Sequence, residues 1–206
     1  MSSALMRLLQ PKQLLIFDFD GTIADTSPLH AQAFTQALSG KGIAVHYPDI
    51  AGLKTADAVR FCAERSGVPL REDEVQSLVQ AKQSLVRSLM AHQLQALPGA
   101  DDFLQQVART HRLAMVTSGS RGTVALGLGK LGYTDFFNPL ICADDVAQAK
   151  PSPEGFLKAL AVAGVSADRA LVFEDSPAGL TAAHQAGLAT IQIEADTWAA
   201  LLKDLR

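Results

Sequence analysis

From Leu97 onward, short apolar runs alternate with stretches of helical spacing, and this alternation constrains the fold of the chain more than any other feature. Helical spacing covers residues 100–109, 121–131, 153–163 and 177–186, and Gly132, Gly164 and Gly187 close the last three of these stretches. Between and after them lie Leu113–Thr117, Leu140–Cys142, Ala170–Asp175 and Ala189–Ile193, each short and apolar enough to be a strand. Such alternation predicts an α/β fold, a parallel sheet with helices on both faces. One further strand precedes them. Leu14-Leu15-Ile16-Phe17 is an unbroken apolar run, as expected of a strand buried on both sides. Ligands of parallel sheets bind beyond the carboxyl ends of the strands. The polar residues of this chain fall there: Asp18 and Asp20, Thr117 and Ser118, Glu174 and Asp175.

Each strand end carries a specific chemistry. Side chains alternate along a strand, so Asp18 and Asp20 point to the same side, and Gly21 takes the backbone out of the strand. Two like charges this close repel, and a divalent cation such as Mg2+, which prefers carboxylate oxygens, would relieve the repulsion. An ordinary Asp-Gly turn with solvated acids is the plainer alternative. In Thr117-Ser118-Gly119-Ser120, a hydroxyl and small residues open a helix and present O–H and N–H groups to an anion. Ser118 or Ser120 acting simply as a helix cap is the competing reading. Lys150 stands beside Pro151, a common surface context, yet its loop follows a core strand and can bring the ammonium over the same edge. Glu174-Asp175-Ser176-Pro177 repeats the acid-tipped strand end, with Asp175 able to cap the helix that follows. Gly179 and the alanines after it suit close helix–sheet packing.

Residues 23–96 read differently, with no strand among them. A helix begins at Thr26 or Ser27, uses Pro28 in its first turn, and carries Leu29, Ala33, Phe34, Ala37 and Leu38 on one face. Asp57–Arg65 forms another, and Arg71–Leu97 one or two more. The expected organisation is therefore a core of residues 1–22 and 97–206 interrupted by a helical insert of residues 23–96.

Composition narrows the class of protein. Apolar residues make up 48% of 206, enough for a proper core, and the net charge of −3 with no basic run disfavours a nucleic-acid surface. Cys62 and Cys142 lie far apart in apolar surroundings, as buried free thiols of a reducing compartment do. Met1–Gln13 lacks the pattern of a signal peptide, and no apolar run approaches membrane-spanning length. A soluble, cytoplasmic monomer is expected, without nucleic-acid or membrane partners.

Asp18-Phe19-Asp20-Gly21-Thr22 matches the DxDGT signature of the haloacid dehalogenase-like hydrolases. Thr117, Lys150 and Glu174-Asp175 resemble that family's remaining three motifs in order, so the resemblance spans Leu14 to Ile193. It implies a three-layer, Rossmann-like core with an inserted helical C1 cap. It also implies roles: Asp18 as nucleophile, Asp20 as general acid and base, and Thr117, Ser118, Gly119 and Lys150 around the phosphoryl group. Mg2+ would be held by Asp18, the Asp20 carbonyl and Asp175, with Glu174 close enough to help. Within the family the chain is most similar to the β-phosphoglucomutase, sugar-phosphatase and phosphoglycolate-phosphatase branch. There His30 and the loop containing Gly52, Lys54 and Thr55 correspond to substrate-contacting cap positions. Thr55 replaces the arginine with which the mutase grips a second phosphate, and Thr22 stands where mutases commonly carry an apolar residue. Both departures favour hydrolysis of a small phosphate ester over a phosphomutase. A dehalogenase has no use for Asp20, and a catalytically silent phospho-receiver module carries no helical insert.

Overall fold

The computed structural model describes residues 4–51 and 53–205 and divides into two compact units, Met1–Asp25 with Gln95–Arg206, and Thr26–Leu94. The first unit holds α1 (Ala4–Leu9), β1 (Leu14–Phe17), α5 (Ala100–Val107), β2 (Arg112–Val116), α6 (Arg121–Leu131), β3 (Leu140–Ile141), α7 (Glu154–Ala163), β4 (Ala170–Glu174), α8 (Pro177–Gln185), β5 (Ala189–Gln192) and α9 (Thr197–Asp204). The second holds α2 (Ser27–Ser39), α3 (Thr55–Arg65) and α4 (Glu72–Gln93). Each strand expected from sequence forms: β3, β4 and β5 end one residue earlier than expected, and β2 is shifted by one residue to Arg112–Val116. Helices α1 and α9 lie outside the stretches that periodicity singles out. Each is a short helix, and α1 buries only Leu5 and Leu9 while α9 buries only Trp198 and Leu202.

All paired strands are parallel and their order is β3-β2-β1-β4-β5. The all-apolar β1 thus occupies the centre, with Leu14, Leu15, Ile16 and Phe17 fully buried. Its neighbours β2 and β4 pair residue for residue, Phe17 opposite Met115 on one side and Phe173 on the other. On one face of the sheet Leu14, Ile16, Val116, Val172 and Phe156 pack with Ala182, Ala183 and Ala186 of the α8 region, where small side chains bring helix and sheet together. Order reverses at β1, which sets the switch point of the sheet beside the strand that ends in Asp18.

At the opposite edge of the sheet a groove of about 420 Å3 is lined by Lys12, Arg109, His111 and Arg112. Three of these serve main-chain carbonyls: Lys12 Nζ donates to Asp168 O at 2.7 Å and Arg112 Nη1 to Ala163 O at 2.9 Å, while His111 Nε2 lies 3.2 Å from Leu9 O. Ala163 ends α7, so this cationic edge offsets the partial negative charge of a helix C-terminus.

In the helical unit, Phe34 and Leu38 of α2, Ala58, Val59 and Cys62 of α3, and Val75 and Leu78 of α4 form one apolar cluster. Residues 72–93 make a single helix rather than two. Its start is a capping arrangement in which Glu74 accepts from the Arg71 backbone N–H at 3.1 Å. Thr26 precedes α2 but its side chain makes no cap bond, so Pro28, with its preset φ, is the local signal that starts this helix. Cys62 and Cys142 are free and buried. Among the described residues no helix is long and apolar enough to cross a membrane.

Candidate active site

Four neighbouring strands deliver the polar residues to the carboxyl edge of the sheet. The Asp18 backbone N–H donates to Phe173 O at 3.0 Å, so the ladder between β1 and β4 runs to the first catalytic candidate itself. Asp18 is 6% exposed and Glu174 is fully buried. Between them lies Lys150, from the loop after β3. Its Nζ is 2.5 Å from Asp18 Oδ1 and 2.6 Å from Glu174 Oε1, with the Phe156 ring centroid 5.3 Å away. The solvated-surface reading of Lys150 is therefore overturned: the ion pairs with Asp18 and Glu174 hold the side chain in the edge against the cost of burying its charge.

Glu174 is fully committed to local partners. Its second oxygen accepts from the Ser176 backbone N–H at 2.6 Å and from Ser176 Oγ at 3.0 Å. Ser176 Oγ in turn accepts from Gly179 N at 3.0 Å and caps α8. The cap of this helix is thus Ser176, and the capping alternative for Asp175 falls. Gly179 has a different reason than helix–sheet packing: a Cβ there would overlap the Glu174 carboxylate. Asp175 instead takes a hydrogen bond from the Thr22 hydroxyl, 2.9 Å from Oδ1. Gly21, at φ +78°, makes the same kind of room, since a Cβ on it would overlap Asp175 Oδ2.

Immediately after β2, Thr117 is 5% exposed, and its Oγ1 accepts from Gly119 N at 3.0 Å. That bond leaves the hydroxyl hydrogen to donate elsewhere. Ser120 occupies the N-cap position of α6 without a side-chain cap bond, so hydroxyl capping does not explain this stretch. A Cβ on Gly119 would sit 3.4 Å from Thr117 Oγ1 and 3.6 Å from Asp20 Oδ2, which places the Asp20 carboxylate beside the turn.

Electrostatically the edge carries more negative charge than its one ammonium offsets. Burial raises the Asp18 carboxyl well above its usual range; Lys150 opposes the rise, and Glu174 and Asp20 add to it. Asp175 is raised by burial and by Glu174, with the Thr22 hydrogen bond working against the rise. Burial would lower the Lys150 ammonium, yet Asp18 and Glu174 hold it above its ordinary value. Asp18, Glu174 and Asp175 each offer a carboxylate oxygen, and the three oxygens lie within 4.8 Å of one another. A set of hard oxygen donors with uncompensated negative charge suits a small divalent cation such as Mg2+.

The remaining sequence candidates lie in the helical unit. His30, in the first turn of α2, is half-buried with Nδ1 3.0 Å from Lys82 Nζ of α4. Lys54 is exposed immediately before α3, and Thr55 is its first residue. Gly52 lies outside the described residues.

Comparison with known proteins gives the family of the chain. The family described as haloacid dehalogenase-like hydrolases matches residues 15–193. The chain belongs to that family. Among curated relatives, fructose-1-phosphate phosphatase YqaB of Escherichia coli is 30% identical, over 87% of this chain and 95% of the relative. Validoxylamine A 7'-phosphate phosphatase of Streptomyces hygroscopicus subsp. limoneus is 31% identical, over 94% of both. Among solved structures, CbbY from Rhodobacter sphaeroides in complex with phosphate superimposes with a TM-score of 0.78 at 27% identity, covering 88% of this chain and 85% of the other. These place the hydrolase in the family's sugar-phosphatase and phosphoglucomutase-like branch.

Reasoning from sequence did not assign a site role to Thr22, Ser176, Gly179 or Trp198. Ser176 carried a signal, since Ser before Pro is a common helix start. Thr22 and Trp198 act through partners far away in the chain, and Gly179 through the carboxylate of Glu174, neither of which periodicity registers.

Proposed function

We propose that this hydrolase cleaves small phosphate monoesters, sugar phosphates foremost, through an aspartyl phosphate on Asp18 and with Mg2+. The observation that carries the reading is the buried Lys150 ammonium, seated between Asp18 and Glu174 one strand from the Thr117–Gly119 turn. A fixed positive charge beside a carboxylate nucleophile, with an O–H donor opposite, is an arrangement that binds a phosphoryl group in flight.

An Asp18 oxygen forms the bond to phosphorus as the bond to the ester oxygen breaks, and Asp20 gives its proton to the departing alcohol. Asp20, now a carboxylate, takes a proton from water. The water oxygen attacks phosphorus, and the bond to Asp18 breaks to release inorganic phosphate. Throughout, Lys150 offsets charge on the phosphoryl oxygens, and Thr117 Oγ1 and the Ser118 N–H donate to them. Asp18, Asp175 and the Asp20 carbonyl would hold Mg2+, with Glu174 completing the acidic set. Bound Mg2+ supplies the positive charge that lets anionic carboxylates and an anionic substrate share one edge. Choice among esters is assigned to the helical unit through His30, Lys54 and Thr55. The relatives named for fructose 1-phosphate and validoxylamine A 7'-phosphate support a phosphorylated carbohydrate.

Phosphate release from hexose 1- and 6-phosphates, fructose 1-phosphate, 2-phosphoglycolate, 6-phosphogluconate and nucleoside monophosphates tests the reading. Turnover is expected with Mg2+, not in EDTA, and not with Asp18→Asn. Full activity in EDTA, or in Asp18→Asn, would refute it.

A further inference from the structure

Trp198 is the chain's only tryptophan and is 1% exposed, on a C-terminal helix that no motif marks. Its ring lies against Phe103, Phe173 and Phe17, with centroids 4.9, 5.6 and 6.3 Å away. Phe17 and Phe173 are register partners on β1 and β4 and stack on one another at 4.6 Å. They immediately precede Asp18 and Glu174. The aromatic cluster therefore lies under the two strand ends that carry the acids.

Packing does not account for the polar end of the ring. Trp198 Nε1 donates to the carbonyl of Thr22 at 2.8 Å, in the interior. Thr22 is itself fully buried, and its hydroxyl donates to Asp175 Oδ1 at 2.9 Å. A continuous chain of two hydrogen bonds thus links the indole to Asp175. Along it, the backbone position of Thr22 is set from one side and the Asp175 carboxylate is oriented from the other. Gly21 adds the clearance, because a Cβ there would occupy the place of Asp175 Oδ2.

We infer that Trp198 is a positioning residue for the cation site: it fixes Thr22 so that the Thr22 hydroxyl holds one oxygen of Asp175 and leaves the other for the metal. The inference rests on the Mg2+ reading above. A buried N–H···O=C bond is directional, so shifting the Thr22 carbonyl shifts the hydroxyl that shares its residue. Tryptophan suits the task because one residue supplies both the aromatic floor and the donor.

Mg2+ titration calorimetry on the wild type, Trp198→Phe, Thr22→Val, Thr22→Ser and the double variant Trp198→Phe/Thr22→Val tests it. Trp198→Phe keeps most of the ring and removes only the donor. A lost hydrogen bond corresponds to roughly a fivefold change in an equilibrium constant. Mg2+ affinity is expected to fall by about that factor in Trp198→Phe and by as much or more in Thr22→Val. Thr22→Ser should restore it, and the double variant should bind no more weakly than Thr22→Val alone, since Trp198 acts through Thr22. The lone indole N–H resonance of the wild type gives a second readout that needs no variant of Trp198. It should shift on Mg2+ addition, and less so in Thr22→Val. Unchanged Mg2+ affinity in a folded Trp198→Phe, additive losses in the double variant, or an indole resonance indifferent to Mg2+ would each overturn the inference while leaving the metal reading intact. A wild type that binds no Mg2+ would overturn both.

Discussion

Carboxylates at the strand ends and carboxylates of the helical unit sit beside cations alike, yet they are shifted in opposite directions. Asp18 and Asp175 are raised because burial outweighs what Lys150 and Thr22 return. In the helical unit Asp49 is lowered by His46 and Arg65, Glu72 by Arg60 and Gln76, and Glu74 by Lys41 and Arg71. Exposure is the reason. The Arg60–Glu72 side chains are 46% and 65% accessible, whereas Lys150 and Glu174 are 8% and 1%. Surface pairs keep their hydration and contribute little. The buried set gives its hydration up, and its partners inside the protein return only part of it. The strand ends therefore hold negative charge at the expense of stability, in a state that a cation or a phosphoryl group would relieve.

That contrast can be broken by experiment. Lys150→Met should have the largest effect, because it leaves Asp18 and Glu174 buried without their shared counter-charge. Phosphate release should fall by about 100-fold or more, and denaturant unfolding should show a loss of about 3–5 kcal/mol. Next comes Gly179→Ala, which pushes a methyl group into the Glu174 carboxylate. A loss of about 1–3 kcal/mol is expected, with reduced turnover. Gly129→Ala, on the exposed face of α6 with nothing within 4 Å of the new Cβ, should instead stabilise by about 0.5–1 kcal/mol. A destabilising Gly129→Ala would show that available room does not separate the two glycines, because helix propensity favours alanine at an open helical position.

Asp175→Asn sharpens the comparison further. A carboxyl whose folded pKa is raised binds its proton more tightly in the native state, so its contribution to stability is present below the unfolded pKa and is lost as pH rises through the folded value. Metal-free Asp175→Asn should therefore melt above the metal-free wild type at pH 7.5. The advantage should shrink toward pH 4 and reverse sign when Mg2+ is added, because only the wild type gains a ligand. For Glu72 the sign is opposite: its lowered pKa gives a contribution present above the unfolded value and lost as pH falls. Arg60→Ala removes that pairing and should leave the melting temperature nearly unchanged, with no pH-dependent gain. A large effect there would erase the distinction between the two regions.

Much of the site was legible because its signals are local. The apolar run Leu14–Phe17, Asp18 and Asp20 two residues apart, Thr117 after its strand and Glu174-Asp175 after theirs need only a knowledge of strand periodicity to be brought to one edge. Reading Lys150 needed more. Its flanking Pro151 pointed to the surface, and only the strand order β3-β2-β1-β4-β5 shows why the loop after β3 can reach across to the centre of the sheet. Gly179 was legible as small but not as clearance for Glu174, because the clash involves the carboxylate at the end of β4.

What the amino-acid sequence determined by itself was the five strands, the helices other than α1 and α9, and the chemistry at the strand tips, since hydrophobic periodicity, helix starts and turn residues act over a few neighbouring positions. Tertiary structure alone decided which tips are neighbours, how far each charge is buried, and which distant groups orient it. Trp198 shows the difference most plainly. It stands 176 residues from the Thr22 carbonyl it binds, in a helix with no motif, and only the packing of α9 brings the two together. Hydrogen bonds and burial depend on proximity in space, and the chain reports proximity only along itself.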